Sequence, residues 1–257
     1  MNSQHHQAPY DKFAKFYDLE YSHKDNDLDF YLALARAFGS PILEIGVGTA
    51  RVASRLAAAG FSVVGIDNSA LMLKSATQQL SHLKEMLIGH VQLVHADMRN
   101  FTLETIFPLC IIPFRAFLHN LTMDEQLETL TQIHRHLEPG GILAFDLFVP
   151  LYQVISASEW HDKIGEEELH PENSGVSIDI KIKHRPEQQI LRVTNSYFNR
   201  QDGKTRSATM NYRYIFRYEM EALLRLSGFQ TIEVYGGFEK QRYNYHSGIM
   251  IFIAKRA

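Results

Sequence analysis

The ten residues ILEIGVGTAR, from Ile42 to Arg51, constrain the fold of this chain more than any other segment. The apolar residues of the first half suit a buried parallel strand. Gly46 and Gly48 permit a tight turn that a ligand can approach closely. The alanine-rich segment from Arg51 to Ala59 predicts a helix whose first N–H groups face that ligand. Together these features predict the first half of a nucleotide-binding βαβ unit.

A second apolar strand, Phe61–Ile66, follows and ends at Asp67, where a carboxylate can accept both hydroxyls of a ribose. A dinucleotide-binding G-x-G-x-x-G pattern needs glycine at the position of Arg51, so pyrophosphate binding is disfavoured. Glu44 would repel the phosphates of a dinucleotide but would stabilise a cationic ligand. The pattern therefore predicts a nucleoside that carries positive charge.

Apolar strands alternate with helical segments from residue 42 to residue 150, which predicts a doubly wound parallel sheet. We expect strands near residues 42–45, 62–66, 91–94, 109–112 and 142–147. Ligands bind outside the carboxyl ends of such strands. Glu44, Asp67, Asp97 and Pro113 all fall at those ends.

The stretch from Tyr10 to about Pro150 resembles the class I S-adenosylmethionine-dependent methyltransferases. The family's glycine motif, E/D-x-G-x-G-x-G, is met at Glu44, Gly46 and Gly48, with Ala50 in place of the last glycine. Its acidic residue after the second strand matches VVGIDNS, and its aspartate after the third strand matches VHADMRNF. The segments IIPFRAFLHNL and LEPGGILAFDLF are similar to the family's fourth-strand loop and its turn into strand five.

The resemblance implies an α/β fold: a Rossmann-like seven-stranded sheet with the last strand antiparallel and helices on both faces. It implies S-adenosyl-L-methionine as cofactor and S-adenosyl-L-homocysteine as product. The segment YDKFAKFYD is similar to a family element that closes over the cofactor, so Tyr10 and Tyr17 either contact ligand or pack in the core. The expected cofactor-binding residues are Tyr17, Glu44, Gly46, Gly48, Asp67, Asn68, Met72, Ala96, Asp97, Met98 and Pro113.

Methyl transfer from a sulfonium depends mainly on positioning, and an acceptor that must lose a proton is helped by a base. His119 is the candidate base because it follows the fourth strand directly; alternatively, it binds backbone at the start of the next helix. Arg115, the other catalytic candidate, could bind a carboxylate of the acceptor or a cofactor group, or pair with a structural acid. Tyr17 and Phe114 are the aromatic residues that we expect near the sulfonium.

Beyond Pro150 the pattern changes to alternating strands over Val176–His184, Gln189–Asn199 and Arg206–Phe216, which predicts an antiparallel cap. A helix over Tyr218–Ser227 should precede two final strands, Gln230–Tyr235 and Ile249–Ala254. The expected substrate-binding residues are Tyr21, Phe114, Arg115, Tyr197, Tyr212, Tyr214, Arg242 and Tyr243. We divide this single domain into a helical lid (1–40), a cofactor-binding core (41–150), an inserted cap (151–216) and a final helix and strand pair (217–257).

Composition limits the function classes. The 257 residues are 45% hydrophobic, enough for one large core, and the single Cys110 excludes a disulfide within the chain. No apolar stretch reaches membrane-spanning length, so we expect a cytoplasmic monomer or homodimer with no membrane partner. The net charge of −3 argues against a nucleic-acid partner. His134 and His136 would point to different helix faces, and we expect no metal.

The sequence leaves two classes of function open. The leading prediction is a methyltransferase that transfers a methyl group to a nitrogen or oxygen of a small molecule. The resemblance also argues against a DNA base amine as acceptor, since methylases of exocyclic base amines carry Asn or Asp before a Pro-Pro pair after strand four, whereas Ile112-Pro113-Phe114 stands here. The alternative is a protein side-chain methyltransferase or a non-catalytic S-adenosylmethionine-binding protein.

Overall fold

A seven-stranded mixed sheet forms the centre of the structure, a computed structural model that describes residues 25–164 and 175–257. Its strands are β1 (Ile42–Ile45), β2 (Val63–Asp67), β3 (Val91–His95), β4 (Phe107–Ile112), β5 (Leu137–Phe148), β10 (Phe229–Tyr235) and β11 (Ile249–Arg256). The spatial order is β10-β11-β5-β4-β1-β2-β3. Strand β11 is antiparallel to both of its neighbours, and the other pairs are parallel.

Helices cover both faces of this sheet. They are α1 (Leu28–Phe38), α2 (Arg51–Ala58), α3 (Ala70–His82), α4 (Met123–His136), α5 (Tyr152–Ile155) and α6 (Arg217–Leu226). Buried residues of α1, α2 and α3 form one apolar cluster with the sheet, and those of α4 and α6 form a second cluster with the opposite face. The predicted fold class is confirmed.

A separate four-stranded antiparallel sheet forms the cap. Its strands are β6 (Glu159–Ile164), β7 (Val176–Arg185), β8 (Ile190–Asn199) and β9 (Lys204–Arg213), in that order. Strand β6 was not predicted, because EWHDKI has only two apolar residues and most of its side chains are exposed. Strand β9 ends three residues earlier than predicted, since Phe216 already caps α6.

The predicted N-terminal element lies outside the described residues, and Tyr10, Tyr17 and Tyr21 lie there with it. Helix α1 lies in the last part of the predicted helical lid, residues 1–40. Across the two described ranges, no helix combines the length and the apolarity needed to cross a membrane.

Candidate functional site

A cavity of about 620 Å³ opens at the carboxyl ends of β1, β2, β3 and β4, and β8 and β9 of the cap form its far wall. Predicted cofactor residues supply its near wall: Gly46, Gly48, Asp67, Asn68, Met72, Ala96, Asp97, Met98 and Pro113. The topology brings these residues together because parallel strands present their carboxyl ends at one edge. The cavity is therefore the candidate cofactor site.

The turn between β1 and α2 forms one edge of the cavity. Gly46 has φ +70° and Gly48 has φ +56°, which L side chains rarely adopt. A Cβ atom at Gly46 would lie 2.7 Å from the Cβ atom of Ala116. The N–H groups of Gly46 and Val47 both donate to the Ile66 carbonyl at 2.9 Å, which fixes the turn against β2.

Asp67 ends β2 beside this turn. Its Oδ2 accepts from the N–H of Gly48 at 2.9 Å, and its Oδ1 accepts from the N–H of Ser69 at 2.8 Å. Burial raises the pKa of the carboxyl, and these N–H donors oppose the rise. Each carboxylate oxygen has a second acceptor site. The geometry therefore suits two ribose hydroxyls.

Asp97 follows β3 and lines the cavity, but an arginine already binds it. Nε and Nη2 of Arg99 donate to Oδ1 and Oδ2 of Asp97 at 2.9 and 2.6 Å, and the Arg99 guanidinium also pairs with Glu125. The guanidinium lowers the pKa of Asp97. Asn120 donates to Sδ of Met98 at 3.4 Å, which helps to fix this apolar part of the wall.

Glu44 lies behind the glycine turn, 2% exposed, and does not line the cavity. Within the described part of the chain, its Oε2 atom has no hydrogen-bond partner. Burial raises its pKa to about 8, although the nearby Arg51 opposes the rise. Arg51 forms a bidentate ion pair with Asp27, at 2.7 and 2.6 Å, so it ties α2 to the start of α1. Direct contact of Glu44 with the cofactor stays a prediction.

The loop after β4 passes between the two walls. Phe114 and Arg115 have φ values of +58° and +64°, an uncommon conformation for residues other than glycine. The Phe114 N–H donates to Oδ1 of Asp146 at 2.6 Å, and the Tyr31 hydroxyl donates to the same oxygen at 3.0 Å. Burial raises the pKa of Asp146 to about 6. Asp146 was not among the predicted site residues. Its position, as the single acid near the end of the apolar strand LAFDLF, could have indicated a role at the site.

His119 lines the cavity where the 3-10 turn Ala116–His119 meets the cap. Its ring centroid lies 4.6 Å from that of Tyr212. Burial lowers its pKa to about 4, and a hydrogen bond to the backbone of Asn211 opposes the fall. A bond that favours the protonated ring is one that the ring donates, so the Asn211 carbonyl is the acceptor. His119 is therefore a neutral imidazole at physiological pH.

Several predicted substrate-binding residues do not line the cavity. Arg115 is exposed, and its guanidinium lies over the Phe114 ring at 5.7 Å. Tyr197 is buried in the core of the cap, and the Tyr214 hydroxyl contacts Nε2 of His184 at 3.0 Å. Tyr243 packs against Arg217. Arg242, an exposed residue, pairs with Tyr235 in an isolated β-bridge. Of the described candidates, Phe114 lines the cavity, and Tyr212 supports it through His119.

The positions of these side chains follow from the alternation of residues along the cap strands. Thr209 and Asn211 line the cavity, whereas Met210 and Tyr212, on the other face of β9, pack with the cap core, and the Tyr212 ring also contacts His119. Arg192 of β8 pairs across the sheet with Asn211 and also lines the cavity. We predicted tyrosines for this wall because of their chemistry, whereas Thr209 and Asn211, at odd positions of β9, line the cavity.

Metal ligands do not cluster in the part of the chain that the structure describes. There, no group of three or more His, Cys, Asp or Glu side chains is placed to hold a metal ion. Cys110 is buried in β4.

Comparison with known proteins identifies the fold. Residues 42–141 match the family model described as a methyltransferase domain. The chain is 25% identical over 253 residues to YqeM of Bacillus subtilis, a protein named as a methyltransferase, and the match covers 97% of this chain and 92% of that protein. Residues 42–141 are therefore a methyltransferase domain.

Two further comparisons cover most of this chain. It superposes on the CcbJ methyltransferase from Streptomyces caelestis with a TM-score of 0.86 and 23% identity, over 97% of this chain and 98% of that one. It is 23% identical over 234 residues to glycine/sarcosine N-methyltransferase of Aphanothece halophytica, covering 89% of this chain and 81% of that protein. Solved structures with this fold include CalS10 from Micromonospora echinaspora with bound S-adenosylmethionine (TM-score 0.65, 22% identity, over 88% of this chain and 87% of that one), which agrees with the predicted cofactor.

Proposed function

We propose that this methyltransferase methylates an amine nitrogen of a small molecule held between the strand ends and the cap. The cavity carries this proposal. Its volume of about 620 Å³ lies within the range of about 300–1,000 Å³ that is usual for small-molecule sites. A site for a protein side chain would need an open groove, whereas β8 and β9 form a wall opposite the cofactor residues.

The chemistry of His119 favours nitrogen over oxygen as the acceptor. A base whose conjugate acid has a pKa of about 4 is too weak to remove the proton of a hydroxyl. A neutral amine already has the lone pair that attacks, and it needs no base at that moment. The relative from Aphanothece halophytica, whose name specifies N-methylation, supports the same choice.

The bound cofactor supplies a methyl group on a sulfonium, which transfers by in-line displacement. Asp67 and the glycine turn hold the nucleoside, and Phe114 lines the cavity beside them. One ring nitrogen of His119 donates to the Asn211 carbonyl, so the other carries a lone pair that can accept an N–H of the amine. We assign His119 to orienting the acceptor rather than to carrying its proton. After transfer, the methylated ammonium releases a proton to solvent.

The experiment that tests this function uses cofactor with an isotope-labelled methyl group. The protein is incubated with pools of small amines and, separately, of hydroxyl compounds, and products are separated by mass. We expect label in one or more amines, and much less label at subsaturating cofactor when Asp67→Ala replaces the wild-type protein. Label confined to hydroxyl compounds, or to protein, would contradict the proposal.

A further inference from the structure

Charge is distributed unevenly along the cavity. Of its described lining residues, the ionised side chains are Asp67, Asp97, Arg99, Glu125 and Arg192. All three carboxylates lie toward the end that we assign to the cofactor, which itself carries a cationic sulfonium. Arg192 lies at the opposite end, on the cap.

Arg99 is not available to a ligand anion in the way that Arg192 is. Arg99 is neutralised by Asp97 and Glu125. Arg192 makes no hydrogen bond or ion pair with any side chain in residues 25–164 or 175–257. A guanidinium in a ligand cavity without a counter-charge attracts an anion and can bind a carboxylate or phosphate in bidentate geometry.

Strand β7, which pairs with β8, does not supply a negative counter-charge for Arg192. Lys183 of β7 lies directly across from Arg192, and its Nζ is 4.0 Å from Oε2 of Glu159. Lys181 holds the other oxygen of that glutamate at 2.5 Å. Glu159 is thus held by these two lysines, and no ion pair joins it to Arg192.

Arg192 also has a defined position relative to the reacting end. Its cross-strand partner Asn211 is the residue whose carbonyl binds His119. Directly paired residues on antiparallel strands have Cα atoms about 5 Å apart. One small molecule can therefore contact His119 with its amine and Arg192 with a group a few bonds away.

We propose that Arg192 binds an anionic group of the acceptor, so that the substrate is a small amine bearing a carboxylate or a phosphate. This inference rests on the proposed function. The carboxylates at the cofactor end would repel such a group, which gives the acceptor one orientation. Thr209 and Asn211 on the same cap face offer further polar contacts.

The first test measures binding without turnover. The protein is saturated with S-adenosylhomocysteine, and the guanidinium Nε–H resonance of Arg192 is assigned in NMR spectra by its loss in Arg192→Lys. Acetate, inorganic phosphate or neutral acetamide is added at constant ionic strength. We expect a saturable shift with acetate or phosphate but not with acetamide. The anion that binds more tightly identifies the group, and no saturable shift with either anion overturns the proposal.

The second test uses the amine acceptor found with labelled cofactor, paired with its amide or dephosphorylated analogue. Arg192→Gln should raise KM for the anionic acceptor by about 10- to 100-fold, with little change for the neutral analogue or in cofactor affinity. Lys183→Gln is the matched control, because Lys183 shares the strand face but does not line the cavity. The KM of Lys183→Gln for the anionic acceptor should stay within about twofold of the wild-type value.

The outcomes separate the two proposals. Equal use of the anionic acceptor and its neutral analogue by the wild-type protein, or an unchanged KM in Arg192→Gln, would overturn the anion site. A saturable Arg192 shift in a protein that methylates no small amine would support the anion site and contradict the proposed function.

Discussion

Asp146 shows how one buried carboxyl can shape the site from outside it. Two consecutive residues with positive φ cost about 1–2 kcal/mol each, and Phe114 and Arg115 adopt that conformation. The bond from the Phe114 N–H to Asp146 offsets part of this cost. Tyr31, which is fully buried, holds the carboxyl from the other side. Phe114 thus keeps its place on the cavity wall.

Replacing Asp146 should therefore disturb the loop. Asp146→Ala leaves the Phe114 N–H without its acceptor, so we expect the free energy of unfolding to fall by about 1–3 kcal/mol. Turnover should fall more than cofactor affinity, since Phe114 lies toward the acceptor. Asp146→Asn keeps an acceptor oxygen and serves as the control. Urea unfolding, kcat and cofactor Kd measure these effects, and equal loss in both variants would argue against the role of this bond.

The stability of the loop should also depend on pH. The folded pKa of Asp146 is about 6, above its ordinary value of 3.8, so the folded state binds more protons than the unfolded state between those values. Stability from this group is then lost as pH rises from about 4 to 6. His119, with its lowered pKa, has the opposite effect in the same range. We expect Asp146→Asn to gain stability relative to wild type across this interval. A constant difference between the two proteins would contradict the pKa assignment.

His119 allows a kinetic test at the same scale. If it orients a neutral amine, His119→Gln should lower kcat by about 10- to 100-fold and leave the shape of the pH profile unchanged between about pH 6 and 9. A base would instead lose about 10²- to 10⁴-fold, together with the limb of the profile that it causes. A structural histidine would lower Tm with little loss of turnover. Measuring kcat, cofactor Kd and Tm on this variant separates the three roles.

At the scale of elements, the turn from β1 into α2 depends on glycine for two reasons. Gly46→Ala adds both backbone strain and a contact with Ala116, so we expect it to cost about 2–4 kcal/mol and to weaken cofactor binding. Gly203→Ala is the matched control, since Gly203 has φ +62° with nothing within 4 Å of the added Cβ. It should cost about 1 kcal/mol and leave cofactor affinity unchanged. Thermal unfolding and calorimetry compare the two, and equal effects would exclude a special role for the turn.

The main sheet could be predicted from sequence because its strands are short apolar runs that end in turn or acidic residues. The near wall of the cavity followed from that prediction, since Asp67 and Asp97 stand at strand ends. The cap wall could not be predicted in the same way. Which face of β9 meets the sheet depends on packing between distant segments, so Asn211 rather than Tyr212 lines the cavity. The hydrogen bond from the Phe114 N–H to Asp146 was not predicted for the same reason, because it joins the loop after β4 to β5, which is distant in sequence.

At the scale of the whole molecule, two sheets with different roles line opposite sides of one cavity. The parallel sheet fixes the cofactor residues at its carboxyl edge, and the cap adds polar side chains from a separate antiparallel sheet. Affinity for the cofactor and specificity for the acceptor can therefore change independently. Substitutions near Asp67 should act on the cofactor, whereas substitutions near Arg192 should act on the acceptor.

The central claim is that the cavity at the strand ends is the S-adenosylmethionine site, and calorimetric titration of Asp67→Ala tests it most directly. Loss of two hydrogen bonds to a charged acceptor should weaken cofactor binding by about 10- to 100-fold relative to wild type. Arg206→Ala, an exposed change at the far end of β9, is the control and should bind as wild type does. A folded Asp67→Ala protein with unchanged Kd would contradict the account.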